Sequence, residues 1–345
     1  MNCYLSRNYR SSAYAGNKAK IDIEQIMHDK GYRNAGRSQT RYKGVVTAFL
    51  ATLASMAEAP FHIGKGDILV LQYPLKKYFR MQCRIAHARG AKVVVLIHDL
   101  GSFRRKKLTV EEEIAKLSLA DYVIAHSEAM RRWLLDNGLK RPVGVLGIFD
   151  FLSGSSAPVR TQAPAKPYRV MYVGGLSYGY NGALYEMGQH AANWTTVLYG
   201  GGFEPEKVSE GCTVDYRGYI DSDDLIASPD ADFGLVWYGS SRHGCEGRIG
   251  DYLQYISAHK LSLYLRCEVP VIVGRGTAMG DFVEREGIGF AVSSLDDIDG
   301  LLGALTPDEY MKMKERAAAI GRKLAQGAFT SAALDEATAC LSAVR

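Results

Sequence analysis

The chain has 345 residues, 47% of them hydrophobic and 23% charged, which suffices for two ordinary cores at roughly 150 residues per domain. No apolar run approaches the ~18 residues that span a bilayer, and the opening MNCYLSRNYRSS has no apolar export segment, so a soluble, cytoplasmic protein is expected. The net charge of +5 is unevenly spread: residues 1–150 carry 25 Lys and Arg against 13 Asp and Glu, and residues 151–345 carry 17 against 24.

Near the start a first strand leads through the loop Ala15–Asp22 into the helix IDIEQIMHDKG. Short β-branched runs then alternate with helical patterns: GDILVLQYP (66–74), AKVVVLIHD (91–99), DYVIAHS (121–127) and VGVLGI (143–148). Such alternation predicts parallel β/α units. SGSSAPVRTQAPAKP (153–167) has the composition of a linker and places a domain boundary there. The rhythm resumes with YRVMYVGG (168–175), TTVLYGGG (195–202), TVDYRGY (213–219), DFGLVWYG (232–239), VPVIVG (269–274) and GIGFAVSS (287–294). TPDEYMKMKERAAAI (306–320) starts with Thr, Pro and two acids, a strong helix opening, and a last helix over about 330–343 has no evident sheet of its own. The domains are therefore 1–152 and 168–324, with the C-terminal helix of about 325–345 left over. Two open α/β sheets in tandem are expected to bind ligand in a cleft assembled from both.

Six scattered cysteines (Cys3, Cys83, Cys212, Cys245, Cys267, Cys340) form no CxxC pair, so neither a disulfide framework nor a metal site is expected. Basic residues gather at Lys76, Lys77, Arg80 and Arg84, at Arg104–Lys107, and at Arg131 and Arg132. Clustered cations raise the local potential, and an anionic membrane surface suits them better than nucleic acid, for which no binding motif is present. Solvated helix faces would explain them equally well.

Gly174 and Gly175 follow a strand and let the backbone approach a ligand, as a phosphate at a helix entrance requires. A plain tight turn fits too. There is no GxGxxG or P-loop pattern, which disfavours a nicotinamide oxidoreductase. In Tyr255–Ser262, Ser257 is expected to cap a helix whose first turn holds His259 and Lys260. A first-turn lysine opposes the helix dipole; an anion held by Lys260 and the free N–H groups, with the Ser262 hydroxyl as a further donor, removes the conflict. A lysine pointing to water, and a structural His259, are the plainer readings. His98 and Asp99 end strand 91–97, where a carboxylate could take a proton from an acceptor hydroxyl with His98 positioning it, or merely cap the next turn. His126 ends the next strand likewise, and Ser127 is expected as the N-cap of EAMRRWLL. Gly16, Asn17 and Lys18 are the acceptor-side candidates in their loop.

The GNKAKID loop (16–22), LIHDL (96–100), AHSEAMRRWL (125–134), FGLVWYG (233–239) and above all HKLSLYL…VPVIV (259–273) resemble bacterial GT-B glycosyltransferases of surface-polysaccharide assembly, notably galactofuranosyltransferases and the glucosyltransferases that extend adhesin glycans. The resemblance covers nearly the whole chain. It implies an α/β GT-B fold of two Rossmann-like domains facing each other across a cleft, with the final helix returning to the first. It implies a UDP-sugar donor, with Lys260 and the loop Gly174–Tyr178 in the nucleotide site. The donor-site candidates are Gly174, Gly175, Leu176, Tyr178, Tyr219, Trp237, Tyr238, Tyr255, His259, Lys260 and Ser262, the catalytic candidates are Asp99, His98 and Lys260, and no cofactor or metal is expected. The chain departs from the family pattern at Gly175, at Tyr238 where relatives carry an acid, and at Ile256–Ala258. The expected activity is hexosyl transfer, galactofuranosyl or glucosyl, to a glycan or lipid-linked hydroxyl, at the inner face of the cell membrane if the basic half binds it. A non-catalytic sugar-nucleotide or glycan-binding subunit is the alternative, and a homo-oligomer is left open.

Overall fold

The computed structural model describes residues 1–6, 15–37, 45–75, 78–104 and 108–343. The chain divides into two compact units, residues 1–150 with 327–345, and residues 151–326. The first holds six parallel strands, β1 (Asn2–Tyr4), β2 (Arg33–Asn34), β3 (Ile68–Tyr73), β4 (Lys92–Ile97), β5 (Tyr122–Ala125) and β6 (Val143–Val145), in the order β2-β1-β3-β4-β5-β6. The second holds β7 (Tyr168–Val173), β8 (Trp194–Tyr199), β9 (Val214–Tyr216), β10 (Phe233–Val236), β11 (Val271–Gly274) and β12 (Gly289–Val292), in the order β12-β11-β10-β7-β8-β9. Both are doubly wound orders, the second that of a dinucleotide-binding sheet, and each reverses direction once.

The strands form where the β-branched runs lie, because a parallel sheet covered on both faces needs apolar side chains on both. Val70, Val94, Leu96 and Ile124 fill the first core; Val170, Tyr172, Phe233, Leu235 and Ile272 fill the second. In the second unit β7 and β10 pair only at Phe233↔Val170 and Gly234↔Met171. Beyond that point the Tyr264 hydroxyl bridges them, accepting from the Val173 N–H (2.9 Å) and donating to the Leu235 carbonyl (3.1 Å). A Cβ on Gly234 would lie 2.3 Å from Tyr264 Cγ, so this glycine lets the helix His259–Arg266 approach the sheet. That helix is thereby set at the switch point.

Residues 153–167 belong to the second unit. Arg266, buried, donates to the carbonyls of Phe151 (3.1 Å) and Ser155 (2.7 Å), and Arg160 pairs with Asp232 at 2.5 Å. A segment of linker composition is thus held down because its backbone carbonyls meet a buried guanidinium. The helix Pro307–Ala325 opens with a capping box between Thr306 and Glu309. The chain then re-enters the first unit at Gly327, and the helix Ala328–Ala343 buries Leu334, Ala337 and Leu341 beside Tyr122, Ile124 and Leu146. Tyr122 donates to Glu336 (2.9 Å) and Lys30 pairs with Asp335 (2.9 Å). This explains a final amphipathic helix with no strand following it.

Two sequence expectations are corrected. Residues 15–22 are not a loop: the helix runs Ala15–Asp29, so Gly16, Asn17 and Lys18 lie in its first turn, and Lys18 is occupied by Asp22 (2.6 Å) one turn on. The helix N-cap before His259 is Ala258, extended and without a side-chain bond, rather than Ser257. Of the basic clusters, Lys76, Lys77 and residues 105–107 lie outside the described residues.

Candidate functional site

The carboxyl end of β7 carries the glycine turn. Gly174 has φ +146° and donates to the Tyr199 carbonyl (2.9 Å); a Cβ on Gly200, φ +138°, would lie 1.7 Å from the Gly174 carbonyl oxygen. Only glycines tolerate this double approach. Asn181 Nδ2 donates to the Gly175 carbonyl (2.8 Å) and the Tyr185 hydroxyl to that of Leu176 (2.6 Å). The carbonyls are tied inward, while no atom lies within 4 Å of a Cβ placed on Gly175. The turn is rigid and open on one side.

Next to it stands Lys260. Its Nζ is buried, 3.5 Å from the Tyr172 ring centroid and 4.3 Å from that of Tyr238, and 3.1 Å from a Cβ placed on Gly174. It has no hydrogen-bond partner among the described residues, and burial pushes its pKa well below the ordinary lysine value. Two ring faces contribute about 2 kcal/mol apiece at best, against several kcal/mol for desolvating an ammonium. The helix His259–Arg266 begins at this lysine and brings the positive end of its dipole, with the Leu261 N–H already taken by the Ala258 carbonyl (2.9 Å). The lysine nitrogen and the glycine turn lie together at the start of this helix. This is the chemistry of a phosphate or diphosphate site.

The surrounding candidates separate by burial. Tyr238, one of the departures from the family pattern, forms part of the lysine's box. The His259 ring stacks on Phe151 at 4.9 Å. Tyr178 is 39% exposed and Tyr219 67%, and Tyr255 is half-buried before the helix. Three expectations fail on burial. Leu176 is fully buried, so only its backbone faces the turn; Trp237 is a core residue whose Nε1 donates to the Ser241 carbonyl (3.0 Å); and the side chain of Ser262 is wholly buried under the helix. Ser257 Oγ is buried with no partner among the described residues. Sequence reasoning missed Tyr172, which alternates to the ligand end of a strand that reads only as core.

In the first unit His98 and Asp99 follow β4. His98 Nε2 donates to Gln72 Oε1 (2.6 Å), whose amide donates to the Lys20 carbonyl (3.1 Å), and the ring stacks on Phe149 at 5.4 Å. His98 is thus fixed in orientation beside Asp99, which is half-buried. At the start of the next helix the N–H groups of Gly101 and Ser102 bind buried Glu113, both at 2.8 Å. Glu113 also accepts from Tyr73 (2.8 Å), and no motif announced it. His126 is buried, donates from Nε2 to the Ile97 carbonyl (3.0 Å), and burial lowers its pKa to about 4. Ser127 caps the following helix through the Met130 N–H (3.1 Å). Asp150 accepts from the N–H groups of Phe329 (3.2 Å) and Thr330 (2.6 Å); burial raises its pKa to about 6 despite these bonds.

Residues 2–148 match the family model described as glucosyltransferase 3-like, N-terminal domain, and residues 170–337 the glucosyltransferase 3-like, C-terminal domain. The beta-1,6-galactofuranosyltransferase WbbI of Escherichia coli (strain K12) is 28% identical over 325 residues, 93% of this chain and 94% of its own length. Glucosyltransferase 3 of Streptococcus gordonii is 26% identical over 289 residues, 80% of each chain. Among solved structures, Anabaena Alr3699/HepE in complex with UDP matches with a TM-score of 0.61 at 13% identity, over 99% of this chain and 100% of that one, a likeness of fold.

Proposed function

The chain belongs to the glucosyltransferase 3-like family of bacterial GT-B glycosyltransferases, and from that premise we propose that it transfers a hexosyl unit, galactofuranosyl or glucosyl, from a UDP-sugar to a hydroxyl of a glycan or lipid-linked acceptor. The observation that carries the donor assignment is the buried Lys260 Nζ, with no hydrogen-bond partner among the described residues, beside the Gly174–Tyr178 turn and a helix N-terminus. In this reading the acceptor oxygen attacks the anomeric carbon, the bond from that carbon to the diphosphate oxygen breaks, and UDP departs with the electron pair. Lys260 and the helix N–H groups stabilise the charge that grows on the diphosphate, so the step needs no divalent metal. One preorganised donor of this kind contributes about 3–4 kcal/mol to the transition state. Asp99, steadied beside an oriented His98, takes the acceptor proton, and Asn17 contacts the acceptor side.

Support for the donor comes from the relatives' names, a galactofuranosyltransferase and a glucosyltransferase, and from the UDP bound in the Anabaena structure. The test is calorimetric titration of wild type and Lys260→Ala with UDP, followed by donor hydrolysis across a panel of UDP-sugars. Wild type should bind UDP and hydrolyse one donor preferentially. Unaltered UDP affinity in a folded Lys260→Ala would remove the lysine from the site. Binding without hydrolysis or transfer would mark a sugar-nucleotide-binding subunit instead.

A further inference from the structure

The helix Val45–His62 presents an apolar stripe to solvent. Val46, Phe49, Leu50, Leu53, Ala57 and Phe61 are all exposed, the phenylalanines to 50% and 82%. At about 100° per residue these six positions fall within an arc of about 120°, and at ~1.5 Å per residue the stripe is about 22 Å long. The opposite face is the one that packs. Ser55, Met56 and Ala59 are buried, Ser55 Oγ accepts from the Arg37 N–H (3.1 Å), and a Cβ on Gly36 would strike Ser55. The helix is therefore pinned with its polar contacts inward and its apolar residues outward, the reverse of a surface helix covering a core. A continuous exposed patch of this kind marks an interaction surface.

Charge identifies what it meets. The helix has one acid, Glu58, and that is paired with Arg37. The neighbouring helix Phe79–Ala88, joined to it by Gln82 Nε2 donating to the Met56 carbonyl (3.3 Å), contains no acid and exposes Arg80 and Arg84 one turn apart, with Met81 between them 40% exposed. Among the described residues no acid pairs with either arginine. Residues 1–150 carry 25 basic against 13 acidic residues, so a second copy docked on this face would set like charge against like. An anionic bilayer offers both an apolar interior for the stripe and phosphates for the arginines. No helix of the described residues is long and apolar enough to cross a membrane. We propose that the helix Val45–His62 lies in the plane of an anionic lipid bilayer, with Phe49, Leu50 and Leu53 inserted among the acyl chains and Arg80 and Arg84 on the headgroups. This goes beyond the donor reading and does not depend on which sugar is moved.

The test is vesicle flotation of the full chain with phosphatidylcholine alone and with phosphatidylcholine containing phosphatidylglycerol. Wild type should float with the anionic vesicles and be released by salt. Phe49→Ser/Leu50→Gln/Leu53→Gln should bind at least tenfold less, with thermal unfolding no less stable than wild type, since only exposed apolar side chains are changed. Arg80→Gln/Arg84→Gln should lose the preference for anionic lipid. A Phe49→Trp variant should be quenched by lipids brominated on the acyl chain. Wild type that floats with neither vesicle, a triple variant that binds as wild type, or a lipid-free dimer that the triple variant dissolves would each overturn the proposal. The last outcome would assign the stripe to a second copy.

Discussion

The ammonium nitrogen of Lys260 stands 3.5 Å from the centroid of the Tyr172 ring, on the side where Gly174 leaves room for it. A cation so placed, buried and without a hydrogen-bond partner among the described residues, is stabilised only partly by the ring. The arrangement sacrifices stability in the unliganded protein. Lys260→Met keeps the length and apolar stem and removes the charge. Its melting temperature should equal or exceed that of wild type, while transfer falls about 100- to 1000-fold. A variant that melts earlier and transfers normally would show the lysine to be structural.

The lowered Lys260 pKa gives a second, thermodynamic prediction. Folding favours the neutral amine, so between the lowered value and the ordinary lysine range the unfolded chain binds more protons and stability rises with pH. A diphosphate beside the nitrogen would raise the pKa again. UDP binding should then take up a proton wherever the pH lies above the unliganded value. Calorimetry at successively higher pH, in buffers of different ionisation enthalpy, measures this directly. Buffer-independent enthalpies up to the ordinary lysine range would count against it.

The Tyr172 hydroxyl is buried without a partner among the described residues, so the ring and the hydroxyl can be separated by substitution. Tyr172→Phe keeps the face toward Lys260 and removes an unsatisfied polar group. Stability should rise by about 1 kcal/mol with UDP affinity retained. Tyr172→Leu removes the face as well, opens a cavity, and should cost about 2–4 kcal/mol in chemical denaturation.

The glycine turn predicts a contrast between neighbours. Gly200→Ala would drive its methyl into the Gly174 carbonyl and should lower the melting temperature and UDP affinity together. Gly175→Ala meets nothing within 4 Å, so the fold should be unaffected; any loss would be confined to UDP affinity, as expected where the backbone approaches a ligand.

Two buried groups of the first unit oppose each other with pH. His126, lowered to about 4, contributes stability that is complete above its unfolded value and is lost as the pH falls toward 4. Asp150, raised to about 6, runs the other way: folding favours its protonated form, so its contribution is greatest in acid and is lost as the pH rises through 6. Each amounts to something on the order of 3 kcal/mol, and over their shared window they largely offset. Asp150→Asn should expose the histidine, with stability falling steeply between neutrality and pH 4 where wild type is nearly flat. Unfolding followed at several pH values would reveal the slope; identical profiles would refute the pairing.

The alternation of β-branched runs with helical patterns located ten of the twelve strands to within three residues at either end, because a doubly covered parallel strand must be apolar on both faces. The glycine pair, Lys260 and the helix beginning at His259 were legible for the same local reason: turn geometry and helix ends are written in adjacent residues. Burial was not. Leu176 and Trp237 are buried in the core of the second unit, and Ser262 is buried on the helix that Gly234 lets approach the sheet at Tyr264, thirty residues away in sequence. Tyr172 becomes the lysine's partner only because β7 and β10 separate beside it. The return of the last helix to the first unit, and the outward turn of the Val45–His62 stripe, likewise arise from contacts between residues distant in sequence, Asp150 with Thr330 and Gly36 with Ser55. Periodicity tells that a face is apolar; only packing tells which way it points.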